Sequence, residues 1–165
     1  MKLRKLVVML AAIVLAIPAF AQDKGGAKLT ASDKANMEIL RDKIKADKKL
    51  IVSQNMNLTD AEAKGFWPVY DAYQKDLQAI NDKLLKTIVA YADAYNKGSV
   101  ADDVAKKLLN EALAVEEEEV KLKRAYIPKL EKVLPGAKVA RYMQIENKIR
   151  AVAKIDIAAS IPLVY

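Results

Sequence analysis

From Phe66 to Tyr95 the apolar and aromatic side chains fall in steps of three and four: Phe66, Tyr70, Tyr73, Leu77, Ile80, Leu84, Ile88, Tyr91 and Tyr95. Two seven-residue rows underlie the pattern, Tyr70-Leu77-Leu84-Tyr91 and Phe66-Tyr73-Ile80-Thr87. An α-helix brings residues so spaced onto one face, and a long helix of this kind is stable when that seam is buried against other helices. Thr59 followed by Glu62 marks its start as a capping box: the hydroxyl accepts the amide of Glu62 and the carboxylate returns to the amide of Thr59. Asn96-Lys97-Gly98 is a stop signal. The helix from Asp60 to Asn96 is roughly 55 Å long at 1.5 Å per residue. Pro68 lacks an amide hydrogen and crowds the preceding turn, which predicts a kink or a short leading helix split off there.

The remaining segments read as helix too. Ser32 is a candidate N-cap for a first helix with Met37, Leu40, Ile44 and Ile51 at helical spacing. A third helix is predicted after Ser99, with Asp102 and Asp103 at its positive end. It carries one row of Leu109, Leu113, Val120, Ile127 and Leu134 and a second of Leu108, Val115 and Leu122. Pro128 predicts another kink, and Leu134-Pro135-Gly136 a turn. The fourth helix carries Val139, Tyr142, Ile145, Ile149 and Val152 and ends near Ile157; Ile161-Pro162-Leu163 is expected to fold back as an apolar tail. No stretch alternates with period two for long enough to make a strand. The fold class is all-α: four long, kinked, amphipathic helices forming hairpins.

The N-terminus points to export. Lys2, Arg4 and Lys5 precede the uncharged apolar run Leu6 to Ile17, Pro18 breaks it, and Ala19-Phe20-Ala21 offers small residues to a signal peptidase. Twelve apolar residues fall short of the roughly 20 needed to span a bilayer. A signal peptide over residues 1–21, cleaved after Ala21, is therefore expected, with a mobile leader over 22–32 and a single helical domain over 33–165. The expected compartment is the periplasm. Without the three signal charges, 25 Lys and Arg stand against 21 acidic residues, a mild excess of about +4. That balance suits acidic or unfolded partners and is far from a nucleic-acid-binding signature.

The chain has no Cys and no His. It thus has no thiol chemistry and lacks the commonest general base and transition-metal ligand. Its five Gly form no phosphate loop. No residue set nominates an enzyme, a cofactor or a metal site.

Three features stand as candidate binding elements. Phe66-Trp67-Pro68-Val69-Tyr70-Asp71-Ala72-Tyr73 holds four aromatics in eight residues, either a platform for clients or a core at a helix kink. The spacing of Phe66, Tyr70 and Tyr73 favours core, whereas Trp67 falls off the seam. Glu116 to Glu119 is four carboxylates in a row, which a helix spreads around its axis, so a solvated face paired with Lys121, Lys123 and Arg124 is expected rather than a cation site. Lys43, Lys45, Lys48 and Lys49, with Lys138, Arg141, Lys148, Arg150 and Lys154, line one positive face or simply solvate the helices. Candidate client-binding residues are Trp67, Phe66, Tyr70, Lys45, Lys48 and Arg141.

Leu58-Thr59-Asp60-Ala61-Glu62, followed by Phe66 and Tyr70, resembles the LTXXQ motif of the Spy/CpxP-type periplasmic chaperones and stress sensors. Leu58 and Thr59 match; Glu62 stands where that family has Gln. A second copy is expected one helical hairpin later, where Leu134-Pro135-Gly136-Ala137-Lys138 keeps only its Leu. Arg141-Tyr142-Met143-Gln144-Ile145-Glu146 resembles the family's ARY/F-x-Q helix start. Phe66-Trp67-Pro68 through Tyr73 and the Ile161-Pro162-Leu163 ending resemble uncharacterised exported relatives of the group. The likeness spans about residues 34–157. It implies a four-helix chain, often paired as an antiparallel dimer with a concave face, that binds unfolded proteins without ATP or restrains an envelope stress sensor. Metal-sensing relatives coordinate through His, which is absent here.

The leading expectation is an exported, ATP-independent, chaperone-like protein that binds unfolded or partly folded polypeptides in the cell envelope. The alternative is a regulatory module docking on one envelope protein, such as a stress sensor. A third reading, a carboxylate-based enzyme or cation binder, has no motif behind it. Apolar residues on several helix faces leave room for a homodimer. Nucleic acid and stable membrane insertion after cleavage are not expected.

Overall fold

The computed structural model of the chain describes residues 31–164, and the side chains within that span other than those of 31–38, 40 and 41. The expected signal peptide and residues 22–30 of the expected leader lie outside the described residues. Four α-helices follow one another: α1 Ala31–Met56, α2 Asp60–Tyr95, α3 Asp102–Glu131 and α4 Gly136–Ser160, with no strand among the described residues. The all-α four-helix expectation holds. Two compact units make up the fold, one of residues 58–140 joined by the chain from Leu163 onward, the other of the chain up to Asn57 with Arg141–Pro162.

In the first of these units α2 and α3 form an antiparallel hairpin. Phe66, Tyr70, Tyr73, Leu77, Ile80 and Thr87 are buried along α2, which is the predicted seam. Leu84, Ile88, Tyr91 and Tyr95 continue it half-buried. Asn96 caps α2 and Gly98 takes φ +103°, a left-handed conformation that glycine adopts without steric cost. Both α2 and α3 run unbroken through their prolines, so no leading helix splits off at Pro68. Pro68 and Pro128 are exposed, where water can solvate the carbonyls that each ring leaves without a helical donor.

On α3 the structure chooses between the two predicted rows. Leu108, Val115, Glu119, Tyr126 and Leu130 are buried, with Leu122 half-buried beside them. Leu109 is 60% exposed, and Leu113 and Val120 are exposed as well; only Ile127 and Leu134 of their row are covered. Residues one position apart on a helix point about 100° apart, so one row faces α2 only if its neighbour faces away. Tyr126 decides which: its ring lies edge-on to Tyr73 at 5.3 Å, and its hydroxyl donates to Asp76 at 2.6 Å.

The solvated, lysine-paired reading of the four carboxylates holds at Glu117, which meets Lys121 at 3.7 Å, and needs correction at Glu119. Glu116 and Glu117 are exposed, but Glu118 reaches across to Lys83 at 2.7 Å, and Glu119 is 4% exposed with Lys123 on it at 2.7 Å. A cation one turn on accompanies this carboxylate near the core.

In the second unit, α1 begins at Ala31, so Ser32 lies inside the first turn rather than capping it, and the last two residues of the expected leader are helical. Its buried residues are Ile51, Val52 and Met56, with Ile44 half-buried, and Asn57 at φ 47° ends it in a conformation that Asn tolerates better than most residues. Arg141 Nε donates to the carbonyl of Asn55, one of the last-turn acceptors of α1, and Lys48 meets Glu146 at 2.7 Å. The two ties are met in opposite order along α1 and α4, which makes the helices antiparallel. Tyr142 is fully buried on α4. The apolar tail buries neither of its described aliphatics: Leu163 is 75% exposed and Val164 is exposed.

A close approach that the sequence did not announce locks the base of the hairpin. A Cβ on Gly65 would stand 2.9 Å from Val133 Cγ1 and 3.0 Å from its Cβ, so α2 touches the α3–α4 turn where only hydrogen fits. Gly65→Ala is expected to destabilise by about 1–2 kcal/mol through overpacking, although alanine is the better helix former. With Val133→Ala in place the Cγ1 contact is gone but the Cβ contact at 3.0 Å stays, so the same change is expected to cost less without becoming free; urea titrations of the four proteins give the cycle. The two α3 rows separate as clearly: Leu108→Ala is expected to cost about 2–3 kcal/mol and Leu109→Ala less than about 0.5 kcal/mol, read from the same midpoints.

Candidate functional site

The first cluster is built on the start of α2. Thr59 has extended backbone (φ −72°, ψ 164°), its Oγ1 accepts from the amide of Glu62 at 3.3 Å, and its own amide donates to Glu62 Oε2 at 2.8 Å. The predicted capping box is thus formed in full. Leu58 beside it is half-buried. The same carboxylate oxygen also accepts from Lys138 Nζ, on the first turn of α4. Glu62 therefore joins two helix starts, and the Lys138 bond, followed by the amide of Thr59, holds its carboxyl below the ordinary value of 4.5. Lys138 closes the segment in which a second motif copy is expected; its reach to Glu62, across 76 residues, had no sequence signal beyond that position.

One turn further on lie the aromatics. Phe66 and Tyr70 are buried, and Trp67 is half-buried against both, edge-on to Phe66 at 5.0 Å and to Tyr70 at 5.3 Å. Phe66 and Tyr70 are core residues and offer no face to a client. Trp67 alone of the three keeps surface. Burial, then the bond to Asp76, pushes the Tyr126 hydroxyl up to about 12, so this phenol stays protonated as a donor through the neutral range.

The basic candidates belong to the other unit and are largely engaged within it. Lys48 is half-buried with its ammonium on buried Glu146, and Arg141 is held by the Asn55 carbonyl. Lys45 is exposed, with Asp42 at 3.4 Å. Of the wider set, Lys43 and Lys148 are exposed. Among the described residues no three His, Cys, Asp or Glu side chains group as a metal site, and no helix is long and apolar enough to cross a membrane.

Sequence reasoning missed a surface as well. Leu113, Glu116, Glu117, Val120, Lys121 and Arg124 lie together along the outer face of α3. Leu109 lies one turn before Leu113 on the same face. The sequence signal for it is the α3 row that starts Leu109, Leu113 and Val120.

Because the folded carboxyl of Glu62 sits below its ordinary value, the ionised form stabilises the fold at pH above about 4.5, and that contribution is lost as pH falls through the folded value. Glu62→Gln keeps an acceptor for the amide of Thr59 but removes the charge facing Lys138. Thermal melts followed downward in pH are expected to show a smaller acid loss in the variant than in the parent. Equal slopes would remove Glu62 from the acid response.

Comparison of the chain with models of known protein families, with characterised proteins and with solved structures returns no match.

Proposed function

We propose that this chain is an exported, ATP-independent binding protein for non-native polypeptides, working in the periplasm as a chaperone-like helical scaffold. The observation that carries the reading is the outer face of α3, where Leu109, Leu113 and Val120 stand exposed among Glu116, Glu117, Lys121 and Arg124. Large aliphatic side chains interleaved with both signs of charge suit loose, sequence-tolerant contact with an unfolded segment. Apolar patches on the segment meet the leucines, while either charge on it finds a counterpart. Such binding needs no catalytic group and no nucleotide. The export signal and the resemblance of Leu58-Thr59-Asp60-Ala61-Glu62 to the Spy/CpxP-type motif support the same reading. Trp67, half-exposed on α2, is a reporter in the same unit.

The test is suppression of aggregation of several unrelated unfolding proteins by the chain from Gln22 onward, with Trp67 fluorescence followed as client is added. Suppression near stoichiometric ratios is expected. Replacing Leu109, Leu113 and Val120 together by Ser is expected to weaken it at least about fivefold while the melting temperature stays within a few degrees, since exposed positions contribute little to stability. A parent without suppression, or a triple variant as active as the parent, overturns the proposal; the first result would favour a module dedicated to a single envelope partner.

A further inference from the structure

Helix α3 carries more apolar surface than its seam with α2 uses. Its inward row includes Val115, Glu119 and Tyr126, which pack toward α2. Leu113, Val120 and Ile127 form a second row at seven-residue spacing. At 100° per residue, Leu113 and Ile127 each lie about 20° from the direction of Val120, whereas the inward three lie about 100° or more from it. Leu113 and Val120 are exposed and Ile127 is half-buried. A seven-residue row is the pattern by which one helix receives another along its length, so the occupant it calls for is a helix.

The charges beside the row select which helix. Glu116 and Glu117 precede Val120, Lys121 and Arg124 follow it, and all four are exposed. Glu117 and Arg124 share one flank of the row, about 60° and 40° from Val120 in the same rotational sense. Within the chain Glu117 meets Lys121 at 3.7 Å, with both side chains more than two-thirds exposed, a pairing that contributes little. A partner helix must set a cation against Glu117 and an anion against Arg124, about 10 Å further along at 1.5 Å per residue. Another α3, turned end for end, does both. With a two-fold axis beside Val120, Val120 meets its own copy and Leu113 meets Ile127 of the second copy. Glu117 then stands on the same flank as Arg124 of the second copy, one residue apart in height. A parallel arrangement would set Glu117 against Glu117 and Arg124 against Arg124.

We propose that the outer row of α3 pairs antiparallel with the same row of a second copy of this chain, and that the pairing covers the polypeptide-binding face. Leu113 and Val120 are then closed to a client, and the face opens on dilution or when client competes for it. The regulatory half of this inference rests on the polypeptide-binding reading given above; the pairing itself does not. The contact is one face of one helix, about 21 Å from Leu113 to Ile127. Obligate dimers use larger and more apolar interfaces, so this one is reversible. Its two Glu–Arg pairs set direction and register more than affinity.

The experiment is sedimentation equilibrium of the chain from Gln22 onward, which retains every described residue. A reversible monomer–dimer equilibrium is expected between about 1 µM and about 500 µM. Glu117→Arg alone and Arg124→Glu alone each place like charges on both flanks of the dimer. Each is expected to raise the dissociation constant about tenfold or more. Mixed together, the two single variants set Arg against Glu on both flanks, so a hetero-pair about as tight as the parent dimer is expected. Leu113→Ser with Val120→Ser is expected to abolish pairing. All four positions are exposed, and unchanged circular dichroism establishes that each variant folds. A parent that stays monomeric, a dimer indifferent to the charge variants, or single variants that fail to pair with each other overturns the proposal. Aggregation suppression reads the regulatory half separately. At concentrations where the parent is dimeric, either charge variant alone is expected to suppress more per chain than the parent, and the mixture to return to the parent level. Suppression unchanged by mixing overturns the covering of the client face. Pairing without suppression by any form would instead remove the polypeptide-binding reading and leave the pairing standing.

Discussion

The contact between Tyr126 and α2 sets how the rest of the hairpin is arranged. A phenol packed edge-on against Tyr73 and hydrogen-bonded through its hydroxyl to Asp76 has one productive orientation, and the helix that carries it must turn accordingly. With Tyr126 inward, Leu108, Val115 and Leu130 follow at helical spacing, and Glu119 is drawn toward the seam with Lys123 as its companion. Leu109, Leu113 and Val120 are then turned to solvent. The same rotation that completes the core thus creates the surface on which polypeptide binding is proposed.

At the base of the hairpin a local device has been extended into a tertiary one. A capping box needs only an acceptor at its third position, and a glutamine would serve. Glutamate adds a charge, and that charge recruits Lys138 from the start of α4. Gly65, one residue before the seam begins at Phe66, lets Val133 close over the same region. The start of α2 and the turn before α4 are thereby fastened by one ionic and one steric contact. The half-buried Trp67 sits just beyond them, its ring supported by Phe66 and Tyr70.

The two units divide the surface chemistry. The hairpin is nearly neutral and presents mixed charge with aliphatics on α3, whereas the α1–α4 pair is basic. Several cations that look free in the sequence are used internally: Lys48 offsets a buried Glu146, and Arg141 satisfies a last-turn carbonyl of α1. What remains exposed is a smaller set, Lys43 and Lys148 among them.

Much of the molecule was legible without coordinates. The three-and-four spacing determined the helices, Thr59 with Glu62 determined where α2 begins, Gly98 where it stops, and the same spacing assigned Phe66, Tyr70 and Tyr73 to the core. These are local properties, written in a few consecutive turns of one helix. The inward row of α3, the burial of Glu119, the Gly65–Val133 contact and the partners of Lys48, Lys138 and Arg141 were decided only by tertiary structure. Leu108 and Leu109 are chemically identical neighbours, and nothing within α3 distinguishes their faces. The choice comes from the packing of a distant tyrosine against another helix, a long-range constraint that no local pattern in the chain records.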